Sequence, residues 1–135
     1  STNEALPKIE NLFGSWQRRE LPGDSTQSPN DLSRTAVYVI DKAGAVQSAI
    51  RVGHVGIARK SGDFVPVVVL NTLLGGYFNS RINLNLREGK GYTYGAQTSF
   101  DVRKYRGPFV ASADVRNAVT DSAITEILQE LERIR

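Results

Sequence analysis

The chain has 135 residues, a length typical of one domain, and its 40% hydrophobic content is enough for an ordinary packed core. Its 17 basic and 14 acidic residues leave a net charge of +3, too small an excess to indicate a nucleic-acid-binding protein by itself. The absence of cysteine excludes disulfides, thiolate metal sites and a cysteine nucleophile.

Targeting signals are not evident in the sequence. It contains no run of about eighteen apolar residues and no basic start followed by an apolar stretch, so it predicts neither a membrane span nor a signal peptide. Without cysteine, a reducing cytosol and an oxidising periplasm fit equally well, and the compartment is unknown at this stage. A bacterial periplasmic or cytoplasmic protein is favoured over a secreted one.

The first third of the chain predicts one helix, a linker and two strands. Apolar residues with helical spacing predict a helix from about Asn3 to Phe13. Residues 21–33 are rich in Pro, Gly, Ser, Asn and Asp, which is typical of a surface linker. The β-branched and aromatic segments Thr35–Ile40 and Val46–Ile57 predict two strands, and the turn Asp41–Gly44 between them predicts a hairpin.

The rest of the chain predicts a helix pair, a second strand pair and a last helix. Leu70, Leu73 and Leu74 form a buried stripe that Gly75-Gly76 interrupts, and helical spacing resumes over residues 79–88. Residues 92–101 and 108–114 predict two strands joined by a basic tip, and Thr120 begins the last helix.

This order of elements predicts the fold class. Strands in consecutive pairs, with helices grouped beside them, indicate an α+β domain of two layers, an antiparallel sheet with helices packed on one side. The apolar stripe of the last helix continues to Arg135 without a Gly, Asn or Pro to end it. We therefore expect residues 1–135 to be a single domain cut from a longer chain.

Arg87 and Tyr94 are the candidate site residues. Arg87 lies at a predicted helix end and Tyr94 on the strand that follows, so the intervening turn can bring both side chains to one surface. Both donate hydrogen bonds at neutral pH and together suit a peptide carbonyl or a developing oxyanion. On the residues alone two structural explanations stay open, a helix-dipole or ion-pair role for Arg87 and an aromatic packing role for Tyr94. Tyr92 is the rival for the tyrosine position.

Two further groups have more ordinary explanations. Arg103, Lys104 and Arg106 surround Tyr105, where a solvated hairpin tip is the first interpretation and a phosphate-binding patch the alternative. Gly89-Lys90-Gly91 follows a helix and opens a strand, the reverse of a phosphate-cradling loop.

Three segments of the chain resemble one protein family, in the order that the family has them. They are Phe13–Trp16, Val37–Ser48, and Leu73–Arg81 together with Leu86–Gly95. They resemble the second, non-zinc domain of the insulinase/pitrilysin zinc metallopeptidases, a family that includes mitochondrial processing peptidase-like proteins. The resemblance covers roughly residues 6–131.

The resemblance implies a function for the candidate pair. Arg87 and Tyr94 match the family's Arg and Tyr, which hold substrate carbonyls near the metal, and the family spacing of seven residues favours Tyr94 over Tyr92. The family's zinc site needs H-x-x-E-H, which the single histidine, His54, does not supply. We therefore expect no cofactor in this chain, Zn²⁺ on a missing catalytic half, and no activity of the chain alone.

The implied partners are a zinc-bearing half-unit or subunit and a peptide substrate, enclosed together in a clam-like chamber. A scaffold or interaction domain of the same fold, as in mitochondrial respiratory core subunits, is the first alternative. A nucleic-acid module based on residues 103–106 is the second.

Overall fold

The computed structural model describes residues 1–23 and 25–135. Among these residues the regular elements follow one another in the order α1, β1, α2, α3, β2, β3, α4. Their bounds are α1 Thr2–Phe13, β1 Gln47–Val55, α2 Phe64–Asn71, α3 Arg81–Asn83, β2 Thr93–Phe100, β3 Pro108–Arg116 and α4 Thr120–Arg133. Wider π-helical turns extend α2 over Thr72–Gly76 and α3 over Leu84–Gly89, and a 3₁₀ turn, Asn117–Val119, precedes α4.

The three strands form one antiparallel sheet in the order β1-β3-β2. Ala113 in the central strand lies opposite Ile50 on one side and Ala96 on the other. Because side chains alternate between the faces of a strand, this register places all three on the same face. The sheet confirms the predicted α+β class with antiparallel strands.

The helices cover this face of the sheet and form the core with it. Small alanines at Ala96, Ala111 and Ala113 let the helices approach closely, and burial of the large helical side chains supplies the hydrophobic stabilisation. The core residues are Ile50, Leu74, Ile82, Leu86, Ala96, Phe109, Ala111, Ala113, Val115, Ala123 and Ile127. The predicted arrangement, with helices on one side, is therefore correct.

Buried carboxylates connect the α3 segment to α4. Glu130 is 5% exposed and accepts hydrogen bonds from Arg81 Nε at 3.1 Å, Asn85 Nδ2 at 3.1 Å and Arg133 Nη1 at 3.0 Å. A buried charge is stable only when it is paired and hydrogen-bonded in this way. The network fixes the position of the α3 segment relative to the sheet.

The double glycine ends the first helical segment where the chain passes close to β2. A Cβ atom on Gly75 would lie 2.4 Å from the backbone nitrogen of Thr98, and one on Gly76 would lie 2.7 Å from Asn71 Nδ2. The predicted interruption is confirmed. The close approach at Gly75 is between helix and strand.

The predicted hairpin between residues 35–40 and 46–57 is wrong. β1 forms over Gln47–Val55 but pairs with β3, and Thr35–Ile40 forms no strand. Val37–Ile40 are 84% to 90% exposed, so their β-branched side chains have no sheet surface to pack against. The second strand forms as predicted, and so does the turn, with Ala45 N donating to Lys42 O at 3.1 Å and Gly44 at φ +76°.

The first part of the chain lies outside the core. Every described residue up to Gly44 is exposed, including the apolar stripe of α1 formed by Leu6, Ile9 and Phe13. Among the described helices none combines the length and the apolarity that crossing a membrane requires.

Candidate functional site

A groove of about 570 Å³ lies between the uncovered face of the sheet and the link that follows the double glycine. Three aromatic side chains, Tyr77, Phe78 and Tyr94, contribute to its lining. Its polar side chains come from the three strands and include Arg51, Gln97, Ser112 and Asp114. The groove therefore combines an aromatic part with a polar part.

Of the two candidate tyrosines, Tyr94 and Tyr92, only Tyr94 faces solvent. It lies at the start of β2, is 92% exposed and lines the groove. Tyr92 is half-buried and packs against the hydrophobic core. A hydroxyl that is to bind a ligand must be accessible, and that of Tyr94 is.

Arg87 lies in the last turn of the α3 segment, which agrees with its predicted position at a helix end. Its side chain is 32% exposed, and its guanidinium lies 4.5 Å from the centre of the Phe78 ring. This cation–π stack holds a long side chain in one place. Because Phe78 lines the groove, the stack places the guanidinium beside the aromatic part of the lining.

One nitrogen of this guanidinium has spare hydrogen-bonding capacity. Arg87 Nη1 is buried and makes no hydrogen bond to any described residue, although Glu88 Oε1 lies at ion-pair distance, 3.5 Å. A buried donor without a partner costs free energy that a ligand acceptor can recover.

The aromatic link is held by one buried amide. Asn83 is 4% exposed, donates from Nδ2 to Phe78 O at 2.7 Å, and accepts at Oδ1 from Ala96 N at 3.0 Å. Ser80 N also donates to Tyr77 O at 3.1 Å. These bonds tie the link to the start of β2, so the aromatic residues and Tyr94 keep a fixed relation.

The polar part of the groove carries one ion pair on the open sheet face. Arg51 Nη1 lies 3.2 Å from Asp114 Oδ1 and also donates to Ile50 O at 2.7 Å. Gln97 and Ser112 face each other across β2 and β3 on this same face. The polar residues therefore offer hydrogen bonds without a net charge.

His54 does not belong to the groove and does not fit a zinc site. Its ring packs on Phe109 with centres 5.0 Å apart, and its Nδ1 lies 2.8 Å from Val55 O. The described residues contain no cluster of three or more His, Cys, Asp or Glu side chains that fits a metal ion. His54 lies on β1, an edge strand of the sheet.

A second cavity, of about 560 Å³, lies at the other end of the sheet between residues 26–32 and the ends of β1 and β3. Both arginines of the basic tip border it, and each pairs with a carboxylate: Arg103 with Asp101, and Arg106 with Asp31. Hydrogen bonds from these guanidinium groups lower the pKa of both carboxyls. This pairing reduces the charge available to bind a phosphate.

Sequence reasoning located Arg87 and Tyr94 but missed the rest of the groove. Tyr77 and Phe78 could have been noticed as two adjacent aromatic residues in a link after a double glycine. The polar residues could have been found from strand alternation, since Gln97 and Ser112 are out of phase with the buried alanines.

A comparison with protein-family models identifies the family of the chain. The family model described as the peptidase M16 inactive domain matches residues 1–135. No curated protein matches the sequence significantly.

Two solved structures are similar to the chain. A crystal structure of a peptidase M16 inactive domain from Pseudomonas fluorescens is 27% identical, with a TM-score of 0.64, and the match covers 66% of this chain and 22% of that one. A crystal structure of a conserved protein from Enterococcus faecalis is 21% identical, with a TM-score of 0.67. The match covers 98% of this chain and 30% of that one, and the likeness shows a shared fold. This chain spans less than a third of either structure. With the family model matching its whole length, the chain belongs to the peptidase M16 inactive-domain family.

Proposed function

We propose that this chain is the non-catalytic, substrate-binding domain of an M16-type zinc metallopeptidase. It lines the chamber opposite a zinc-bearing half-unit or subunit, and its groove holds an extended peptide. One observation carries the proposal: Tyr94, which is 92% exposed, and Phe78, on which the guanidinium of Arg87 stacks, line the same groove on the open face of the sheet.

The two donors suit the backbone of a peptide. The Tyr94 hydroxyl donates one hydrogen bond, and the guanidinium of Arg87, whose side chain is 32% exposed, offers its N–H donors. A peptide carbonyl accepts both, and donors placed around a carbonyl stabilise the negative charge that develops on its oxygen during attack. Arg87 and Tyr94 would therefore orient the scissile peptide while the partner supplies the metal.

The pair is preorganised for this task. Phe78 holds the guanidinium through the stack, and Asn83 holds the link that carries Phe78. Side chains that are fixed before binding lose little conformational entropy when the ligand arrives. We assign cleavage to a zinc site on the partner, and this chain contributes peptide binding.

A fluorescence-anisotropy titration of the full chain with a labelled, unstructured peptide tests the proposal. We expect saturable binding that weakens by about tenfold in Arg87→Ala, because a hydrogen bond to a charged group contributes about 1.5–3 kcal/mol. Tyr94→Phe, which removes only a hydroxyl, should weaken binding by a smaller factor.

Matched controls separate the groove from the general surface. Arg103→Ala removes an exposed arginine at the hairpin tip, and Tyr38→Phe removes the hydroxyl of a tyrosine that is 87% exposed outside the groove. Neither should change the affinity. Equal affinities for Arg87→Ala, Tyr94→Phe and the unmodified chain would exclude this function for the pair.

A scaffold or interaction domain is the second candidate, and the exposed apolar stripe of α1 favours it. The same titration decides between the two. A chain that binds no peptide, but self-associates through Leu6, Ile9 and Phe13, would be a scaffold.

A further inference from the structure

Tyr94 leaves the sheet in a direction that a regular strand would not give it. Ala96 and Thr98, two and four residues further along β2, are 5% and 3% exposed and lie on the core face. Because side chains alternate between the two faces of a strand, this even spacing would direct Tyr94 to the core as well. Tyr94 is instead 92% exposed. The alternation is therefore broken between Tyr94 and Ala96.

The break is a β-bulge, a place where one strand has a residue too many. The register shifts between two pairs, Thr93 opposite Val115 and Ala96 opposite Ala113. Between these pairs β3 has one residue, Asp114, whereas β2 has two, Tyr94 and Gly95. The extra residue reverses the alternation, so Tyr94 points away from the core face. Bulges occur often next to functional sites, where they redirect a side chain in this way.

The hydroxyl of Thr93 holds the two sides of the bulge together. Thr93 Oγ1 accepts a hydrogen bond from Gly95 N at 3.1 Å and lies 2.7 Å from Asp114 O on the opposite strand. Gly95 O, at 2.9 Å, is the second carbonyl to which this hydroxyl can donate. The bonds enclose the backbone of Tyr94, which cannot return to a regular register without breaking them.

The bulge borders the candidate site, whereas Thr93 does not. All three residues of the bulge, Tyr94, Gly95 and Asp114, line the groove. Thr93 is half-buried and is not part of the lining. Its hydroxyl can therefore influence a ligand only through the residues that it holds.

We infer that Thr93 is a positioning residue of this site, whose hydroxyl maintains the bulge that turns Tyr94 from the core face into the groove. The inference rests on the proposed function, in which the Tyr94 hydroxyl donates to a peptide carbonyl. A donor helps only when it is fixed where the carbonyl oxygen arrives. Thr93 supplies that fixation from the strand itself.

Nuclear magnetic resonance tests the bulge without any ligand. The full chain, labelled with nitrogen-15 and 3-fluorotyrosine, gives a Gly95 amide signal and a Tyr94 fluorine signal, which Tyr94→Phe identifies by its loss. Thr93→Val keeps the β-branched shape but removes the hydroxyl. It should shift both signals and speed the hydrogen exchange of the Gly95 amide, which loses its acceptor. Thr93→Ser keeps the hydroxyl and should keep both signals.

Thr98→Val is the matched control for lost stability. It makes the same change on the same strand, at a buried hydroxyl that donates to Asn71 Oδ1 at 2.8 Å. It should lower the urea midpoint of unfolding and leave the Tyr94 fluorine signal in place. A general loss of stability is thereby distinguished from a loss of position.

A double-variant cycle tests whether Thr93 acts through Tyr94. In anisotropy titrations with a labelled, unstructured peptide, Thr93→Val and Tyr94→Phe should each weaken binding about threefold, the effect of one neutral hydrogen bond. The variant with both changes should bind no more weakly than Tyr94→Phe, because the hydroxyl to be positioned is already absent. Thr93→Ser should bind like the unmodified chain.

The outcomes separate this inference from the proposed function. Losses that multiply in the double variant would show that Thr93 acts independently of Tyr94, which overturns the inference and leaves peptide binding intact. Gly95 and Tyr94 signals that Thr93→Val does not move would overturn it as well. An unmodified chain that binds no peptide would refute the proposed function, and the two signals would still decide whether Thr93 holds Tyr94 in place.

Discussion

Asn83 shows how much of the site depends on one buried side chain. Its amide bridges two backbone groups. Nδ2 donates to Phe78 O at 2.7 Å, and Oδ1 accepts from Ala96 N at 3.0 Å. It therefore couples the aromatic link to the strand that carries Tyr94. The residue belongs to no charged or catalytic pattern, so its importance is apparent only from its contacts.

Replacing Asn83 with Ala should destabilise the domain and loosen the groove together. The change removes the partner of Ala96 N, which is buried, at a cost of about 1–3 kcal/mol, and it also removes the bond to Phe78 O. Urea unfolding measures the stability, and peptide titration measures the affinity. Asn79→Ala, at an exposed residue of the same link, is the control and should alter neither quantity appreciably. An unchanged affinity in a folded Asn83→Ala variant would show that the link keeps its position without this amide.

At the scale of elements, charged side chains attach the α3 segment to α4. Besides Glu130, Glu126 accepts hydrogen bonds from Asn85 Nδ2 at 2.9 Å and pairs with Lys90 at 3.1 Å. The hydrogen bond from Asn85, followed by that from Lys90, lowers the pKa of the Glu126 carboxyl. The same pair raises the pKa of Lys90, chiefly through its hydrogen bond to Glu126.

The direction of these shifts determines how stability depends on pH. Because its folded-state pKa is lowered, Glu126 stabilises the domain above the ordinary glutamate pKa of about 4.3, and this contribution disappears as the pH falls through the lowered value. Lys90 behaves oppositely at the alkaline end. Its contribution is present below its ordinary pKa of 10.5 and disappears as the pH rises through the raised value.

Glu126→Gln should therefore destabilise the domain at neutral pH and lose this effect in acid. Unfolding free energies of both proteins, measured by denaturant titration from pH 7 to about pH 3, should converge below about pH 4.3. Glu132→Gln removes a carboxylate that is 74% exposed and pairs with Arg135 at 3.4 Å, and its effect should be smaller throughout. If the difference in unfolding free energy between the unmodified chain and Glu126→Gln stayed constant over this pH range, ionised Glu126 would not be the source of the stabilisation.

At the scale of the whole molecule, the chain divides into a packed part and an exposed part. The sheet and the helices from α2 onward share one core, whereas every described residue before Ala45 is exposed. A connection described between the parts is the Arg106–Asp31 ion pair. Because contacts of this kind are few, we expect the exposed part to open locally at a low cost in free energy.

Limited trypsin digestion of the native chain should reveal this division. We expect the first cuts between α1 and β1, where the described residues form no helix or strand, and a resistant fragment that contains the sheet. Mass spectrometry should identify these cuts after Arg18, Arg19, Arg34 or Lys42. Early cleavage after Arg51, Arg81 or Arg116, with the first segment intact, would show that the sheet opens first.

Local patterns in the sequence determined much of this protein. Helical spacing and the double glycine predicted the helix pair and its interruption, and alternation predicted β2 and β3 with the tip between them. The same patterns located Arg87 at a helix end and Tyr94 on a strand. These features follow from interactions between residues close together in the chain, which a sequence pattern records directly.

Only the tertiary structure decided the strand pairing and the groove. Thr35–Ile40 has the composition of a strand but forms none, because β-propensity is expressed through packing against neighbouring strands and those residues have no such neighbour. The groove joins residues far apart in sequence, such as Arg51 and Asp114, which are 63 positions apart. Contacts at such separations depend on which faces the core buries and which it leaves open, and no local pattern records that choice.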